Sequence, residues 1–319
     1  MHLSKALAVL MLAFTTSAMA QDWPTKPIRF IVPFPPGGSV DPLARLIGAK
    51  VGESLKQQVI VENRAGASGV IGTAVAAKAP PDGYTWVFVF DTHAVNPSLN
   101  PTMPFDTVKE LTPVMLIGTA PMAIATAANK PYKTFADVVA AAKAKDGVTI
   151  GSIGNGSLGH LASTLISQAS GAKLIHVPYK GGGPLTTDAM GGQVELAIAS
   201  VAALSPHIRS GRLRAVAVTA DKRSHTMPDV PTLAEQNVRS PSAVAWWGML
   251  APTGTPKPIL ERMHQEVRNA LEMPDVRKTL TETLGMDVVA AGPDAAQKFI
   301  VSEMQRWEKV VKDNNIKSD

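Results

Sequence analysis

The chain has 319 residues, of which 45% are hydrophobic and 18% are charged, and its formal net charge is +5. A chain of this length and composition can bury a large core and suggests about two domains. The charges are evenly mixed, which excludes a disordered or nucleic-acid-binding tail, and the absence of cysteine excludes disulfides and Cys-ligated metal sites. The slight excess of positive charge favours a small anionic partner over a cationic one.

The first twenty residues are typical of a secretory signal peptide. Lys5 precedes an apolar run at residues 6–14, and Ala18-Met19-Ala20 forms a cleavage site of the A-x-A type. The apolar run is too short to span a bilayer, and no later run reaches the length of a membrane-spanning helix. We therefore expect residues 1–20 to be removed on export, and the remainder to be a soluble, monomeric periplasmic protein with no nucleic-acid partner.

Short β-rich runs alternate with helical patterns along the rest of the chain, which predicts an α/β fold with parallel strands. The predicted strands are residues 28–34, 58–63, 84–90, 111–127, 148–153, 174–179, 194–200, 213–220 and 243–252. Helices are predicted after most of these strands, and two C-terminal helices run through residues 260–271 and 295–311. A Pro-rich loop follows the third strand, and the run at 111–127 is long enough to cross between two domains.

Two segments of the chain share one local arrangement, in which a strand is followed by a loop rich in Gly and Ser and then by a helix. The loops are FPPGGSVD (34–41) and GNGS (154–157). A helix start leaves four backbone N–H groups unpaired and carries partial positive charge, so two such loops facing each other across a cleft would hold a carboxylate or a phosphate. Ser157 is expected to cap the second helix, with His160 at its third position, and Asp41 is expected to cap the first.

The second loop also matches the pattern G-x-G-x-x-G, as GNGSLG at residues 154–159. In a dinucleotide-binding fold this pattern needs an acidic residue about 20 positions further on to hold the ribose hydroxyl. No Asp or Glu lies between Asp146 and Asp188, and nicotinamide cofactors are a cytoplasmic resource. We therefore predict that the protein uses no cofactor.

Motifs for catalysis are incomplete. The nucleophile motif G-x-S-x-G needs Gly at the position of Asn155, and the sequence has no metal-binding motif of the H-E-x-x-H type. Asp41, Ser157 and His160 could form a triad, but Ser157 and His160 lie three residues apart at a helix start, where both would serve as caps. Binding is favoured over catalysis, and two alternatives stay open: an exported hydrolase that uses Ser157, and a ligand sensor for a signalling kinase.

Six segments, taken in order, resemble the Bug-type solute-binding proteins of tripartite tricarboxylate transporters. They are IRFIVPFPPGGSVDPLAR, VIVENRAGASGVIG, AKAPPDGYTW, GSIGNGSLGH, VPYKGGGP with GGQVELA, and WWGMLAPTGTP. The resemblance implies two Rossmann-like domains joined by crossover strands, as in type II periplasmic binding proteins (the Venus flytrap fold). Such proteins close on a small organic acid, a carboxylate, and deliver it to the membrane permease subunits of the transporter. The implied domains are residues 21–121 plus 244–319, and residues 122–243.

The resemblance also implies which residues meet the ligand. The inner carboxylate of the ligand would be held by the loops at 35–41 and 155–160 with the help of ordered waters. The outer end would be met by residues 91–97 and by positions near Tyr179 and Ser200. The residues expected to bind the ligand are Phe34, Gly37, Gly38, Ser39, Asp41, Asp91, His93, Asn155, Gly156, Ser157, His160, Tyr179 and Ser200.

Asp91 and His93 depart from the pattern of the family, whose members often carry small Ser or Thr residues after the third strand. Asp91 favours a ligand with an amino or ring-nitrogen group over a simple dicarboxylate or tricarboxylate. His93, if protonated, would instead take the outer carboxylate. Both interpretations require these side chains to face the cleft.

Overall fold

The fold contains ten strands and ten α-helices within residues 23–316, the part of the chain that the computed structural model describes. The predicted signal peptide at residues 1–20 lies outside the described residues. The strands are β1 (Ile28–Val32), β2 (Val59–Asn63), β3 (Thr85–Phe90), β4 (Leu111–Ala127), β5 (Val148–Ser152), β6 (Leu174–Pro178), β7 (Leu196–Ser200), β8 (Leu213–Val218), β9 (Val244–Pro252) and β10 (Asp287–Ala291). The helices are α1 (Val40–Leu55), α2 (Val70–Ala77), α3 (Thr92–Leu99), α4 (Phe135–Ala144), α5 (Leu158–Ser170), α6 (Gly182–Met190), α7 (Val201–Arg209), α8 (Lys257–Glu272), α9 (Pro274–Lys278) and α10 (Pro293–Asp313).

Every strand and helix that the sequence predicts within the described residues is present, with its ends moved by a few residues. Three further elements differ from the prediction. Strand β10 and the short helix α9 are not predicted at all, and the segment after β3 is predicted as a loop but forms helix α3. Pro97 lies inside α3 and has no N–H to donate, which argues against a helix in isolation. Packing against α10 stabilises the helix all the same, since most of its side chains are buried.

The ten strands form one sheet in the order β2-β1-β3-β9-β4-β7-β5-β6, with β8 and β10 also paired to β4. Strands β2, β1 and β3 are parallel to one another, and so are β6, β5 and β7. The pairs that involve β4 or β9 are antiparallel. The sheet is therefore mixed rather than wholly parallel. We call the part built on β1–β3, β9 and β10 the first lobe, and the part built on β5–β8 the second lobe.

Strand β4 belongs to both lobes. Its residues Leu111–Pro121 pair with β9, and the residues from Met122 onward pair with β7 and β8. The predicted crossing run is thus a single 17-residue strand. The change of partners after Pro121 supports the division into residues 21–121 plus 244–319 and residues 122–243, which stays a prediction.

The topology brings the two Gly-rich loops to equivalent places. Strand β1 lies between β2 and β3, and β5 lies between β6 and β7, so each loop leaves the carboxyl end of the middle strand of its parallel set. This edge is where open α/β sheets bind ligands. Aromatic rings fill the core beneath the first loop, with Phe90 5.2 Å from Trp247 and 6.0 Å from Phe34 between ring centroids. Among the described residues, no helix has the length and apolar character needed to cross a bilayer.

Candidate ligand-binding site

A cavity of about 310 Å³ lies between the two lobes. Phe34 of the first loop and Ile153 of the second loop both contribute to its wall. Glycine backbone, small polar side chains and one cation make up most of the rest. The lining residues are Pro33, Phe34, Gly66, Ala67, Ser68, Gly69, Asn100, Ile153, Gly154, Asn155, Pro178, Tyr179 and Lys180.

A second, much smaller space of about 20 Å³ adjoins the cavity, since Phe34 and Ile153 line both. It has room for about one water-sized group. Gly38 and Ser39 of the first lobe face Ser200 of the second lobe across it. The two loops therefore lie on the same cleft, as the sequence predicts.

The lobes touch along one side of this cleft through glycine backbone. A Cβ atom added to Gly183 would lie 2.4 Å from the Pro36 carbonyl oxygen, and one added to Gly181 would lie 2.6 Å from Pro35 Cδ. Gly181 also has a φ of 145° that side-chain-bearing residues rarely adopt. On the other side, Ser68 Oγ donates a hydrogen bond of 2.6 Å to the Asn155 carbonyl oxygen. The structure is thus a state in which the lobes are in contact.

The first helix start keeps unpaired donors. Within the described residues, the backbone N–H groups of Gly37 and Ser39 donate to no other protein group. Ser39 is the N-cap residue of α1 by position, and its Oγ accepts a hydrogen bond of 3.2 Å from Trp247 Nε1. The hydroxyl proton of Ser39 is therefore available to a ligand.

The second helix start differs, because its donors bind neighbouring protein groups. Ser157 Oγ accepts from the His160 N–H at 3.3 Å, which confirms the predicted cap. His160 Nδ1 accepts from the Gly156 N–H at 3.1 Å, and the N–H groups of Gly154 and Ser157 also have partners within the loop. The expectation that both loops offer unpaired amides is therefore wrong for much of the second loop. Short polar side chains at this helix start satisfy the backbone locally.

Buried side chains behind the second loop hold it in place. Ser157 Oγ donates to Ser152 Oγ at 3.1 Å, and His176 Nε2 lies 2.7 Å from the same Ser152 oxygen. The His176 ring stacks on His160 with centroids 4.0 Å apart and an angle of 8° between the rings. Ser152 and Ser157 are both fully buried. The Ser157 hydroxyl thus bonds to another serine, which is not the arrangement of an activated nucleophile.

Asp41 has a structural role instead of the predicted one. Helix α1 begins at Val40 after Ser39, so Asp41 lies inside the first turn and does not cap the helix. Its carboxylate pairs with Arg45 one turn later at 2.9 Å and accepts from Asn63 Nδ2 at 2.9 Å. The residue lines neither of the two spaces between the lobes. A carboxylate in that wall would repel an anionic ligand, and this carboxylate is neutralised elsewhere.

Asp91 is buried outside the cavity wall. Its side chain is 1% exposed, and neither carboxyl oxygen has a hydrogen-bond partner within the described residues. Burial raises the pKa of Asp91 well above its usual value, although the nearby backbone amide of Leu158, at the start of α5, acts in the opposite direction. The carboxyl group therefore lies beside the second helix start, where it does not line either space.

His93 is likewise buried, and its Nε2 has no partner among the described residues. Burial lowers the pKa of His93 to about 4, so the ring is neutral near pH 7. It also lies outside the walls of both spaces. Asp91 and His93 are thus both buried away from the walls of the two spaces in this conformation, so contact of either residue with the outer end of the ligand stays a prediction that the structure does not support.

The remaining predicted residues fall into two groups. Phe34, Asn155 and Tyr179 line the larger cavity, and Gly38, Ser39 and Ser200 line the smaller space. Gly37 and Gly156 line neither space: a Cβ atom added to Gly37 would meet the Gly183 backbone, and one added to Gly156 would meet the Leu99 side chain.

The predicted ligand-binding residues leave out much of the cavity wall, including the turn at 66–69, Asn100 and Lys180. The run AGASG at residues 65–69 is a signal for the turn, since Gly and small residues allow close approach of the backbone. Lys180 directly follows the predicted residue Tyr179 in the segment VPYKGGGP, which is a signal for it, whereas Asn100 lies in none of the six segments.

The fold and the cleft define a solute-binding protein with two lobes. The description "Tripartite tricarboxylate transporter family receptor" belongs to the family model that matches residues 43–316. The chain therefore belongs to the receptor family of the tripartite tricarboxylate transporters.

Three solved structures are similar over most of their length. The periplasmic binding protein BugD is 30% identical, covers 93% of this chain and 100% of its own, and superimposes with a TM-score of 0.88. A protein of R. palustris with adipate is 33% identical, with coverage of 93% and 99% and a TM-score of 0.88. MatC of Rhodopseudomonas palustris with bound malate is 30% identical, with coverage of 91% and 100% and a TM-score of 0.84. Two relatives of this fold thus bind carboxylates.

Proposed function

We propose that the protein captures a small organic acid between its lobes and delivers it to the membrane permease subunits of a tripartite tricarboxylate-type transporter. The receptor acts in the periplasm, without a cofactor and as a monomer. Binding requires no bond to be made or broken, because the site supplies hydrogen-bond donors and a fitted space.

The observation that carries this proposal is the pair of serine hydroxyls in the smaller space. Ser39 Oγ accepts from Trp247 Nε1 at 3.2 Å, and Ser200 Oγ accepts from the Ala203 N–H at 3.3 Å. Neither hydroxyl donates to another described residue, so the proton of each is available to an acceptor on a ligand. A carboxylate is such an acceptor, and hydrogen bonds to a charged group are the stronger kind.

The two serines belong to different lobes, which links binding to closure. A carboxylate oxygen of the ligand, placed in this space, would accept from Ser39 of the first lobe and Ser200 of the second. The unpaired N–H group of Ser39 adds a donor on the same side. A ligand that bridges both lobes stabilises the closed state, because it binds that state better than the open one. The body of the acid would occupy the 310 Å³ cavity, a size suited to a small molecule.

The alternatives lack an observation that favours them. A hydrolase would need the Ser157 hydroxyl exposed and paired with a base, whereas it is fully buried and donates to Ser152. A sensor for a kinase would use the same ligand site, but the family match is to a transporter receptor. The predicted signal peptide and the periplasmic relatives support export as the route to the site of action.

Thermal-shift measurements with adipate, malate and the neutral isostere adipamide test the proposal. A bound acid at about 100 times its dissociation constant should stabilise the protein by about 2.7 kcal/mol, whereas adipamide should not. Ser39→Ala and Ser200→Ala should each reduce the shift. If neither these acids nor any other small carboxylate raises the melting temperature, the proposed function is wrong.

A further inference from the structure

We propose that Lys180 determines ligand specificity by pairing with a second anionic group at the outer end of the ligand. This inference rests on the proposed function, since it assumes that one carboxylate is already held between Ser39 and Ser200. It assigns a role to a residue that forms part of the cavity wall and whose side chain has no hydrogen-bond or salt-bridge partner among the described residues.

Charged side chains are rare among the residues that line the two spaces. Of the residues that line the two spaces between the lobes, Lys180 is the only one with a formally charged side chain. Asp41 and Asp91, the acids predicted to lie near the ligand, are outside both walls. An anion in the cavity therefore meets one cation and no carboxylate, so the net field of the lining favours negative charge at this end.

Lys180 is also unpaired. Within the described residues its amine forms neither a salt bridge nor a hydrogen bond, unlike many other lysines of the chain. The nearby acid is Asp188, but its carboxylate lies beside the Tyr179 hydroxyl, where burial and then this carboxylate raise the pKa of Tyr179. Among the described residues, no acid therefore forms an ion pair with the Lys180 amine.

The backbone on both sides of Lys180 is fixed. The Tyr179 N–H donates to the Ser152 carbonyl oxygen at 2.9 Å, and the Gly181 carbonyl oxygen accepts from the Leu185 N–H at 3.3 Å. Gly181 lies against Pro35 of the first lobe. The lysine therefore extends from a rigid point at the contact between the lobes, so its position over the cavity depends on closure.

Lys180 and the two serines line different parts of the site. Ser39 and Ser200 line only the smaller space, whereas Lys180 lines only the larger cavity and is exposed. An acid anchored at the serines and extending through the cavity would bring its far end towards this amine. Because the site is only partly enclosed, the pair should contribute more than an exposed ion pair and less than a buried one.

The test compares straight-chain diacids, from succinate to suberate, with monoacids of equal carbon number. Affinities are measured by calorimetry, with displacement experiments for the weak ligands. Lys180→Met should weaken diacid binding about tenfold, or 1.4 kcal/mol, and leave monoacid binding within about twofold. Lys180→Arg should keep most of the diacid affinity. Lys222→Met removes an exposed lysine outside the cavity wall and should change neither.

The outcomes separate this inference from the proposed function. Equal weakening of diacids and monoacids by Lys180→Met would show a structural role and overturn the inference, and so would no change in either. Wild-type protein that binds monoacids but no diacid would also overturn it while leaving the proposed function intact. If no carboxylate binds at all, the proposed function itself fails. A diacid affinity that falls with salt in wild-type protein but not in Lys180→Met would support the pairing.

Discussion

The two Gly-rich loops have the same local design but different roles. The first loop leaves the N–H groups of Gly37 and Ser39 unpaired, whereas the second loop satisfies its amides with Ser152, Ser157 and His160. The difference arises from side chains that flank the loops, since the first loop is rich in proline and glycine and the second carries short hydrogen-bonding groups. A helix start therefore offers an anion site only where the chain leaves it unfilled.

This comparison predicts separate functions for the two loops. The first loop should determine affinity for a carboxylate, and the second should act as a rigid wall that determines stability. Contacts between the lobes connect the two functions. Four substitutions test these assignments, beginning with the one expected to have the largest effect.

Gly183→Ala should weaken carboxylate binding by about 10- to 100-fold. The added methyl group would lie 2.4 Å from the Pro36 carbonyl oxygen, so the lobes could not reach their present contact, and overpacking of this kind costs about 1–3 kcal/mol. Calorimetry with the best-binding acid measures the loss. Gly191→Ala is the matched control, because Gly191 has a negative φ and its nearest neighbour would be 3.6 Å away. Unchanged binding in Gly183→Ala would mean that the bound state lacks this contact.

Asp91→Asn should stabilise the protein in a pH-dependent way. Burial raises the pKa of Asp91 in the folded state, so the unfolded chain releases this proton at a lower pH than the folded one. Stability is lost as the pH rises from the ordinary value of 3.8 towards the folded value. Asparagine does not titrate, so the gain in melting temperature over wild type should be larger at pH 7 than at pH 4.

Asp221→Asn, which removes an exposed carboxylate, is the control for Asp91→Asn. Both variants lose one acid, but only the buried one should change the slope of stability with pH. A difference between wild type and Asp91→Asn that is constant from pH 4 to pH 7 would contradict the prediction.

Ser157→Ala should destabilise the protein by about 2 kcal/mol, because it removes the cap of α5 and leaves the buried Ser152 with one partner fewer. Thr134→Ala removes a comparable but more exposed cap, that of α4, and should cost about 1 kcal/mol. Denaturant unfolding compares the two. Equal losses would argue that the second loop is no more rigid than an ordinary helix start.

Ser68→Ala should have the smallest effect. It removes the 2.6 Å bond from Ser68 Oγ to the Asn155 carbonyl oxygen, a contact between lobes worth about 0.5–1.5 kcal/mol, and so should weaken binding by about 2- to 10-fold. Ser302→Ala removes a similar bond within a single helix and should leave affinity unchanged. A loss of stability without a loss of affinity would place the Ser68 bond outside the closing contact.

The sequence predicted most of the fold because its signals are local. Strands such as β1 and β5 are short apolar runs followed by glycine, and the cap at Ser157 follows from residue type and position alone. Helix α3 was not predictable in this way, because Pro97 weakens it locally and its stability depends on packing against α10, far away in the chain. The same limit applies to strand β10, which exists through its pairing with β4.

The site was predictable only in part for a related reason. The resemblance points to Ser39 and Ser200, since Ser39 lies in the loop after β1 and Ser200 ends β7, and both strands lead to the cleft. Whether Asp91 and His93 face the ligand depends on the direction of side chains at the end of β3, and this direction is set by a helix that the sequence does not reveal. Lys180 follows Tyr179 in the segment VPYKGGGP, but the resemblance does not name it as a ligand contact, so the arrangement of the wall is what distinguishes it from other exposed lysines.

Because β4 runs without interruption through both lobes, one of the two connections between them is a paired strand, and only the other, at residues 239–243, is a loop. Any swing of one lobe away from the other has to bend this strand, and Pro121 lies where its pairing with β9 ends. Proline has no backbone N–H, so bending β4 at Pro121 would break fewer backbone hydrogen bonds than bending it elsewhere along the strand. Solute entry would then be governed by a hinge built into the sheet.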